Sequence, residues 1–348
     1  MCIRDSEKLC VLAGAVPFCT WIGGAPEIWQ CVVYYVLLFG GIQIALFLKE
    51  KGAYRVWRVL SRGICVAVVC VSIFILGFRQ KNLISITCLD IGQGDGIVIQ
   101  LPGGKTVMVD GGSSSKKKVA SYQILPYLKN QGISVVDAML ISHTDLDHIS
   151  GVQELLTLKE KHLTTLRIKN LLLPDWKAPE EVYYELEEQA KRCGISVLRL
   201  HQGQKLRFGD GSLEILSPET SAKGTDVNEE GIVMELRYGK FRGLFTGDIG
   251  AETEKKLLPK LDDVNFLKVG HHGSRYSTCQ EFLDKIKPEL AVISCSESNT
   301  YGHPSPETTA RLEENGIRTE YTMKNGAITV YTDGHSIRMK TFCNEKTA

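Results

Sequence analysis

Asp137-Ala138-Met139-Leu140-Ile141-Ser142 runs directly into His143-Thr144-Asp145-Leu146-Asp147-His148. The first half is an apolar run of strand length. The second half carries two His and two Asp within six residues. A lone histidine after a strand usually serves structure. Four ligand-type side chains at this density can be aimed at two adjacent cations. The stretch therefore reads as a buried strand whose end carries a loop of metal ligands: His143, Asp145, Asp147 and His148.

The same construction recurs twice. Leu244-Phe245-Thr246-Gly247-Asp248 ends an apolar strand with a carboxylate, beside a glycine that lets the backbone come close. Asp248 can bridge two cations through its two oxygens. Val269-Gly270-His271-His272-Gly273-Ser274 ends another apolar strand. One of its histidines is expected to ligate a metal, the other to contact a substrate oxyanion or orient a neighbour. The spacing does not divide the roles; the expectation is His271 as ligand and His272 as catalytic contact, with the reverse left open. Asp110, in Val109-Asp110-Gly111-Gly112, and Asp95, in Gly92-Gln93-Gly94-Asp95, also follow strands and are candidates to orient a ligand histidine from behind. His303, in Tyr301-Gly302-His303-Pro304, lies on a loop before a helix and is a candidate substrate contact. His162, His201 and His335 belong to no motif and read as surface or core residues.

Around these motifs, strands are expected at 84–89, 96–101, 106–109, 137–142, 213–216, 231–238, 242–246, 266–269, 290–294, 318–321, 327–331 and 336–340. Helices are expected at 119–129, 153–161, 180–191, 281–286 and 307–314. Strand meanders at both ends with helices between them predict two packed sheets covered by helices. Residues 113–118 (SSSKKK) predict a mobile loop.

The N-terminal part has a different character. Residues 1–81 carry nine Lys/Arg against four Asp/Glu, whereas residues 82–348 carry 32 against 36. Runs at 28–48 and 63–78 are almost continuously apolar, with Trp29, Tyr34, Trp57 and Phe78 near their ends. Such runs predict two transmembrane helices, the second extended by Val59 and Leu60. Lys49, Lys51, Arg55, Arg58 and Arg62 lie between the runs, against Arg79 and Lys81 after them. This places the hairpin turn in the cytoplasm and the globular part outside. The division expected is a membrane segment at 1–81 and a globular domain at 82–348. Met1-Cys2-Ile3-Arg4-Asp5-Ser6 differs in character from the apolar residues after it, as if the chain began inside a longer membrane protein. Cys88, Cys193, Cys279, Cys295 and Cys343 are scattered in the globular part without a CxxC, and read as small buried hydrophobes. The mild acidity of this part argues against a general nucleic-acid-binding face.

The ordered set IGQGD, VDGG, SHTDLDH, TGD, VGHHGS and YGHPSPE resembles the C-terminal domain of the ComEC family of DNA-uptake channel proteins, within the metallo-β-lactamase superfamily. The resemblance covers nearly all of residues 83–340. It implies an α/β fold, an αββα sandwich, following the end of a membrane channel domain. It also implies two divalent metal ions and a nuclease that degrades the non-transported DNA strand. Its implied partners are DNA, the membrane, and the rest of the uptake channel and competence machinery. The chain departs from the common superfamily pattern at Asp145, where histidine is usual. It also lacks a further histidine before Asp248, with Asn228 near the expected place. On this reading one cation is held by His143 and Asp145, the other by Asp147, His148 and one of His271 and His272, with Asp248 bridging. Asp147, Asp248, His272 and His303 are the catalytic set. The oxygen-rich donors favour Mn²⁺, with Zn²⁺ or Mg²⁺ as alternatives. Other readings are hydrolysis of a cell-wall phosphodiester, or a catalytically weak structural cap on a DNA channel.

Overall fold

The computed structural model describes residues 21–50, 55–78, 83–176, 181–220 and 226–343. Residues 1–6, Lys51, Arg79 and Lys81 lie outside them. The chain divides into two compact units, residues 1–80 with 127–134 and residues 81–126 with 135–348.

The first unit is built on two long helices, α1 (Ile28–Glu50) and α2 (Arg55–Gly77). Within them, Ile28–Leu48 and Val59–Gly77 are each long and apolar enough to cross a membrane. Their large apolar side chains, among them Val36, Phe39, Val59 and Phe74, are exposed. Gln30, polar and buried, is not stranded there. Its Nε2 donates to the carbonyls of Ile75 (2.6 Å) and Phe78 (2.9 Å), acceptors that the end of a helix leaves open. The connector is shorter than the sequence suggested. No Pro interrupts residues 55–62, so Arg55, Arg58 and Arg62 belong to α2 rather than to a loop, and Gly63 is mid-helix.

The second unit contains β1 (Ile84–Cys88), β2 (Ile97–Leu101), β3 (Lys105–Val109), β4 (Val135–Val136), β5 (Ala138–Leu140), α3 (Leu146–Glu160), β6 (Arg167–Ile168), β7 (Asn170–Pro174), α4 (Glu181–Arg192) and β8 (Ser196–Leu200). Then come β9 (Lys205–Phe208), β10 (Gly211–Ser217), β11 (Val233–Tyr238), β12 (Phe241–Phe245), α5 (Ala251–Leu257), β13 (Phe266–Lys268), α6 (Gln280–Ile286), β14 (Leu290–Ile293), α7 (Pro306–Glu314), β15 (Arg318–Tyr321), β16 (Ile328–Thr332) and β17 (Ile337–Thr341). Among the described residues the first large sheet has the order β17-β16-β1-β2-β3-β5-β7-β8 and the second β15-β14-β13-β12-β11-β10-β9, while β4 and β6 pair by themselves. Ile84, Ile86, Cys88, Ile97, Ile99, Val107 and Val109 alternate along the first sheet. They meet Leu213, Met234, Leu236, Phe245 and Phe266 of the second in one buried core. The other face of the second sheet, with Leu244, Leu267 and Ala291, is covered by Leu257 of α5, Phe282 and Ile286 of α6 and Leu312 of α7. Helices thus lie outside two packed sheets, as the sequence predicted.

Both sheets are parallel at the side that matters for function. β3 and β5 pair parallel, and so do β12 with β13 and β13 with β14. Parallel neighbours end at the same edge. Asp110 and His143 are therefore brought beside one another, as are Asp248, the His271-His272 pair and Ser294.

Two expectations change. Residues 113–118 are tied down: Ser113 N donates to Ser150 Oγ (2.8 Å), Ser150 Oγ returns a bond to Ser113 O (3.1 Å), and Lys116 pairs with Asp90 (3.0 Å). The short strands β4 and β6 to β9 were not anticipated. Leu171–Leu173 in β7 is a three-residue apolar run closed by a proline, too brief for periodicity to register.

Candidate metal centre

The ligand-rich stretch is only half a loop. Asp145 has extended backbone (φ −63°, ψ 147°) and caps α3, which begins at Leu146. Asp147 and His148 therefore stand in the first helical turn, not on the loop expected from the sequence. The turn is clamped by glycines. A side chain on Gly94 would collide with the carbonyls of Gly112 and Asp147, and one on Gly112 with the backbone of His148 and Ile149. Asp95 N also donates to Asp147 O (3.0 Å).

Three imidazoles are fully buried: His143, His148 and His272. Each commits Nδ1 to the protein. Ser142 Oγ donates its one proton to Asp110 Oδ2 (2.7 Å), so it accepts from His143 Nδ1–H (3.0 Å). His148 Nδ1–H donates to Asp110 Oδ2 (2.9 Å), and His272 Nδ1–H to the carbonyl of Ser294 (3.0 Å). Asp110 itself sits at a left-handed φ of 54° and also accepts from Ser142 N (2.7 Å). His271 and His272 are left-handed as well (φ 48° and 52°), a conformation a non-glycine residue holds only when its surroundings impose it.

What remains is three Nε2 atoms without a hydrogen-bond partner, together with Asp248 Oδ1. They converge. Asp248 Oδ2 lies 3.3 Å from His148 Nε2, 3.6 Å from His272 Nε2 and 3.9 Å from His143 Nε2. Asp147 Oδ2 is 3.4 Å from His272 Nε2, and Asp145 Oδ2 is 3.7 Å from His143 Nε2. Among the described residues, two groups bring their donor atoms within 4.8 Å of one another: His143, His148 and Asp248, and Asp147, His148 and His272. Of the two histidines left open by the sequence, His272 is thus the one inside the cluster. His271 stands at the rim, its Nε2 3.9 Å from Asp248 and its side chain 32% exposed. His303 is half-buried, its ring 5.4 Å from that of His271. His162 and His335 are exposed, and His201 lies near Asp175 (3.6 Å).

The electrostatics divide the site. Burial lowers His143 to about 3, so its ring is neutral. Burial also opposes charge on His148 and His272, but Asp248 outweighs it, helped by Asp110 at His148 and Asp147 at His272, and both imidazoles are raised. Burial would raise Asp248; His148 and His272 overcome it and hold the carboxyl well below its ordinary range. Burial pushes Asp110 up, against the pull of His148 and Ser142. Burial and the adjacent His271 lower His303 to about 4.

Behind the cluster, Lys268 turns into the sandwich rather than to solvent. Its Nζ donates to Asp95 Oδ2 (2.8 Å) and to the carbonyl of Val269 (3.1 Å), with the Lys268 and Asp95 side chains each 2% exposed. Sequence reasoning found Asp95 but missed Lys268, although a lysine closing the apolar strand Phe266-Leu267 was a visible oddity. It also missed Ser142, and nothing in a sequence marks the Ser294 carbonyl.

Residues 89–297 match the metallo-β-lactamase superfamily. ComE operon protein 3 of Bacillus subtilis is 29% identical over 289 residues, covering 78% of this chain and 36% of that protein. Recombination protein 2 of Haemophilus influenzae is 30% identical over 274 residues, covering 78% of this chain and 32% of that protein. The chain spans about a third of the length of these relatives, which bear out the ComEC resemblance drawn from the motifs. The metallo-β-lactamase fold protein YhfI of Bacillus subtilis aligns over 72% of this chain and 100% of its own, with a TM-score of 0.50 and 13% identity, a likeness of fold. That fold implies divalent metals, and the residues present fit them. Buried Nε2 atoms without a hydrogen-bond partner, turned toward ionised carboxylates, are the donor set a cation requires.

A cation on His148 and His272 must displace their Nε2 protons. Because both pKa values are raised, the protons are held more tightly and compete harder as pH falls. Metal affinity is expected to weaken on acidification, with net proton release near neutral pH. Calorimetric titration with Zn²⁺ or Mn²⁺ in buffers of different ionisation enthalpy measures that release; uptake with no proton released would contradict the assignment.

Proposed function

The chain belongs to the metallo-β-lactamase superfamily, and we propose that it is a metal-dependent phosphodiester hydrolase, a nuclease acting on the non-transported DNA strand during competence-related uptake. The observation that carries the reading is the convergence of three buried, unpartnered Nε2 atoms on Asp248. His143 and Asp145 would hold one cation and Asp147, His148 and His272 the other, with Asp248 reaching both. Divalent cations so held supply positive charge that lowers the pKa of water and stabilises a leaving oxygen.

The chain's own residues do the rest. Asp147 and Asp248, both held below the usual carboxylate range, stay ionised and offset dication charge. Asp110 and Ser294 keep the Nδ1 protons in place, so the ligand nitrogens cannot change tautomer. His271, at the rim beside Asp248, is placed to hydrogen-bond a phosphate oxygen or the departing oxygen. His303 follows it outward as a neutral ring that donates one N–H.

Phosphodiester rather than lactam chemistry is supported by the donor set. Asp145 puts a carboxylate where the superfamily usually has imidazole, and hard oxygen donors shift preference from Zn²⁺ toward Mn²⁺ or Mg²⁺. Two relatives bear the names ComE operon protein 3 and Recombination protein 2, which favours DNA over a cell-wall polymer. The five Lys/Arg of residues 49–62 favour a cytoplasmic hairpin turn, with the hydrolase unit outside and attached to the remainder of an uptake channel.

Two measurements test this. The full chain in detergent is stripped with chelator and given single metals, with single-stranded DNA, duplex DNA and a cell-wall phosphodiester polymer as substrates. Mn²⁺ is expected to restore the most DNA cleavage, Asp248→Ala to abolish it without unfolding the protein, and Asp145→His to move preference toward Zn²⁺. Best recovery with Zn²⁺ refutes the hardness argument. Preferred cleavage of the wall polymer refutes the substrate. No recovery with any metal, and no effect of Asp248→Ala, establishes the structural cap instead. For topology, protease added to intact spheroplasts is expected to remove residues 83–348; protection until lysis reverses the orientation.

A further inference from the structure

The ring contacts do not end at the cluster. From His148 the centroid distance is 5.3 Å to His272, then 6.5 Å to His271 with the planes at 85°. His271 meets His303 at 5.4 Å and 83°, and His303 meets Tyr301 at 5.8 Å and 24°, a stacked pair. Exposure rises along the series. His148 and His272 are buried, His271 and His303 half-buried, and Tyr301 59% exposed. Tyr301 belongs to the YGHPSPE motif, of which the proposed chemistry uses only His303.

Tyr301 is exposed but its loop is firmly held. Asn299 Nδ2 donates to the carbonyls of Ser296 (2.8 Å) and His303 (2.6 Å), while Asn299 Oδ1 accepts from Tyr301 N (3.2 Å) and His303 N (3.0 Å). One side chain thus pins the backbone on both sides of the stacked pair. A large ring held in place in solvent gains little from folding and is well suited to binding, because little ordering entropy is left to lose. The same loop is hung on the turn beside the cluster: Ser296 N donates to Gln93 Oε1 (3.3 Å), and Gln93 N donates to Ser115 Oγ (2.9 Å). Lys117 and Lys118, both exposed, follow Ser115. The rim therefore presents a held aromatic plate, the kind of surface on which the bases of single-stranded nucleic acid stack.

We propose that Tyr301, backed by His303, is the stacking plate for the nucleobase next to the scissile phosphate, and that the substrate is single-stranded. An unpaired strand offers open base faces to such a plate along its length; inside a duplex both faces are already stacked. Tyr301 is two ring contacts beyond His271, the reach of a neighbouring nucleotide rather than of the phosphate that is cut. The inference rests on the nuclease reading above and adds to it a residue and a strand preference.

The test uses the full chain in detergent. The probes are single-stranded oligonucleotides carrying 2-aminopurine, or an abasic site, at positions flanking the cut. Cleavage is measured with Mn²⁺ and binding after chelation. Tyr301→Ala is expected to raise KM about ten-fold, the usual worth of one base–aromatic stack, with kcat little changed. Tyr301→Phe, which keeps the ring, restores KM. An abasic site at the stacked position raises the KM of the unmutated chain by a similar factor, and combining it with Tyr301→Ala adds nothing further, since both remove the same contact. Binding quenches 2-aminopurine at that position, and Tyr301→Ala relieves the quench. Cleavage with a KM indifferent to Tyr301→Ala, or additive losses, overturns the plate and leaves the nuclease standing. Tyr301-dependent quenching without cleavage under any metal retains the plate and removes the nuclease. Neither binding nor cleavage removes both.

Discussion

Asp110 is the residue on which the site's geometry depends. Its carboxylate accepts from Ser142 N, Ser142 Oγ and His148 Nδ1–H, and through Ser142 Oγ it also fixes His143. A buried imidazole has two nitrogens, and committing Nδ1 leaves Nε2 as the only one able to hold a cation. Ser294 does the same for His272 from the other sheet. The protein thereby turns three buried Nε2 atoms, none with a full hydrogen bond, toward the Asp248 carboxylate, a donor set suited to a cation.

The sandwich exists, in this respect, to bring two strand edges together. β3 and β5 of one sheet deliver Asp110 and His143, while β12, β13 and β14 of the other deliver Asp248, His272 and the Ser294 carbonyl. The sheets are joined near the cluster by the buried Lys268–Asp95 pair. Such a pair adds little net stability relative to apolar packing, yet losing one partner alone costs about 3–5 kcal/mol, because a buried charge is left behind. Its value is placement: Asp95 N holds Asp147 O, and Asp95 Oδ1 lies 3.9 Å from His272 Nδ1.

Much of this was legible in the sequence, for a definite reason. The strands that lead to His143 and Asp248 are apolar at their last residues, and the one that leads to His271-His272 is apolar but for the buried Lys268; burial of each strand fixes where the polar group after it must go. Asp110 and Asp95 were visible as candidates by the same logic. The start of α3 at Leu146 was not, because a helix opening inside a ligand motif shows no apolar period until it has left the motif. The choice between His271 and His272 was also hidden. It depends on two successive left-handed residues, which turn the second ring inward and leave the first at the rim. Lys268 was missed because a lysine reads as a surface residue until its partner, 173 positions away, is seen. Asn299, which holds the stacked pair, carried no signal beyond its place near YGHPSPE.

Whether the orphaned nitrogens are metal ligands is decided by anomalous diffraction at the manganese edge, from crystals of the chain equilibrated with Mn²⁺. Anomalous peaks are expected in bonding contact with Nε2 of His143, His148 and His272 and with the carboxylate of Asp248. Absence of any peak there, with the three Nε2 atoms hydrogen-bonded to protein or water instead, would contradict the metal assignment.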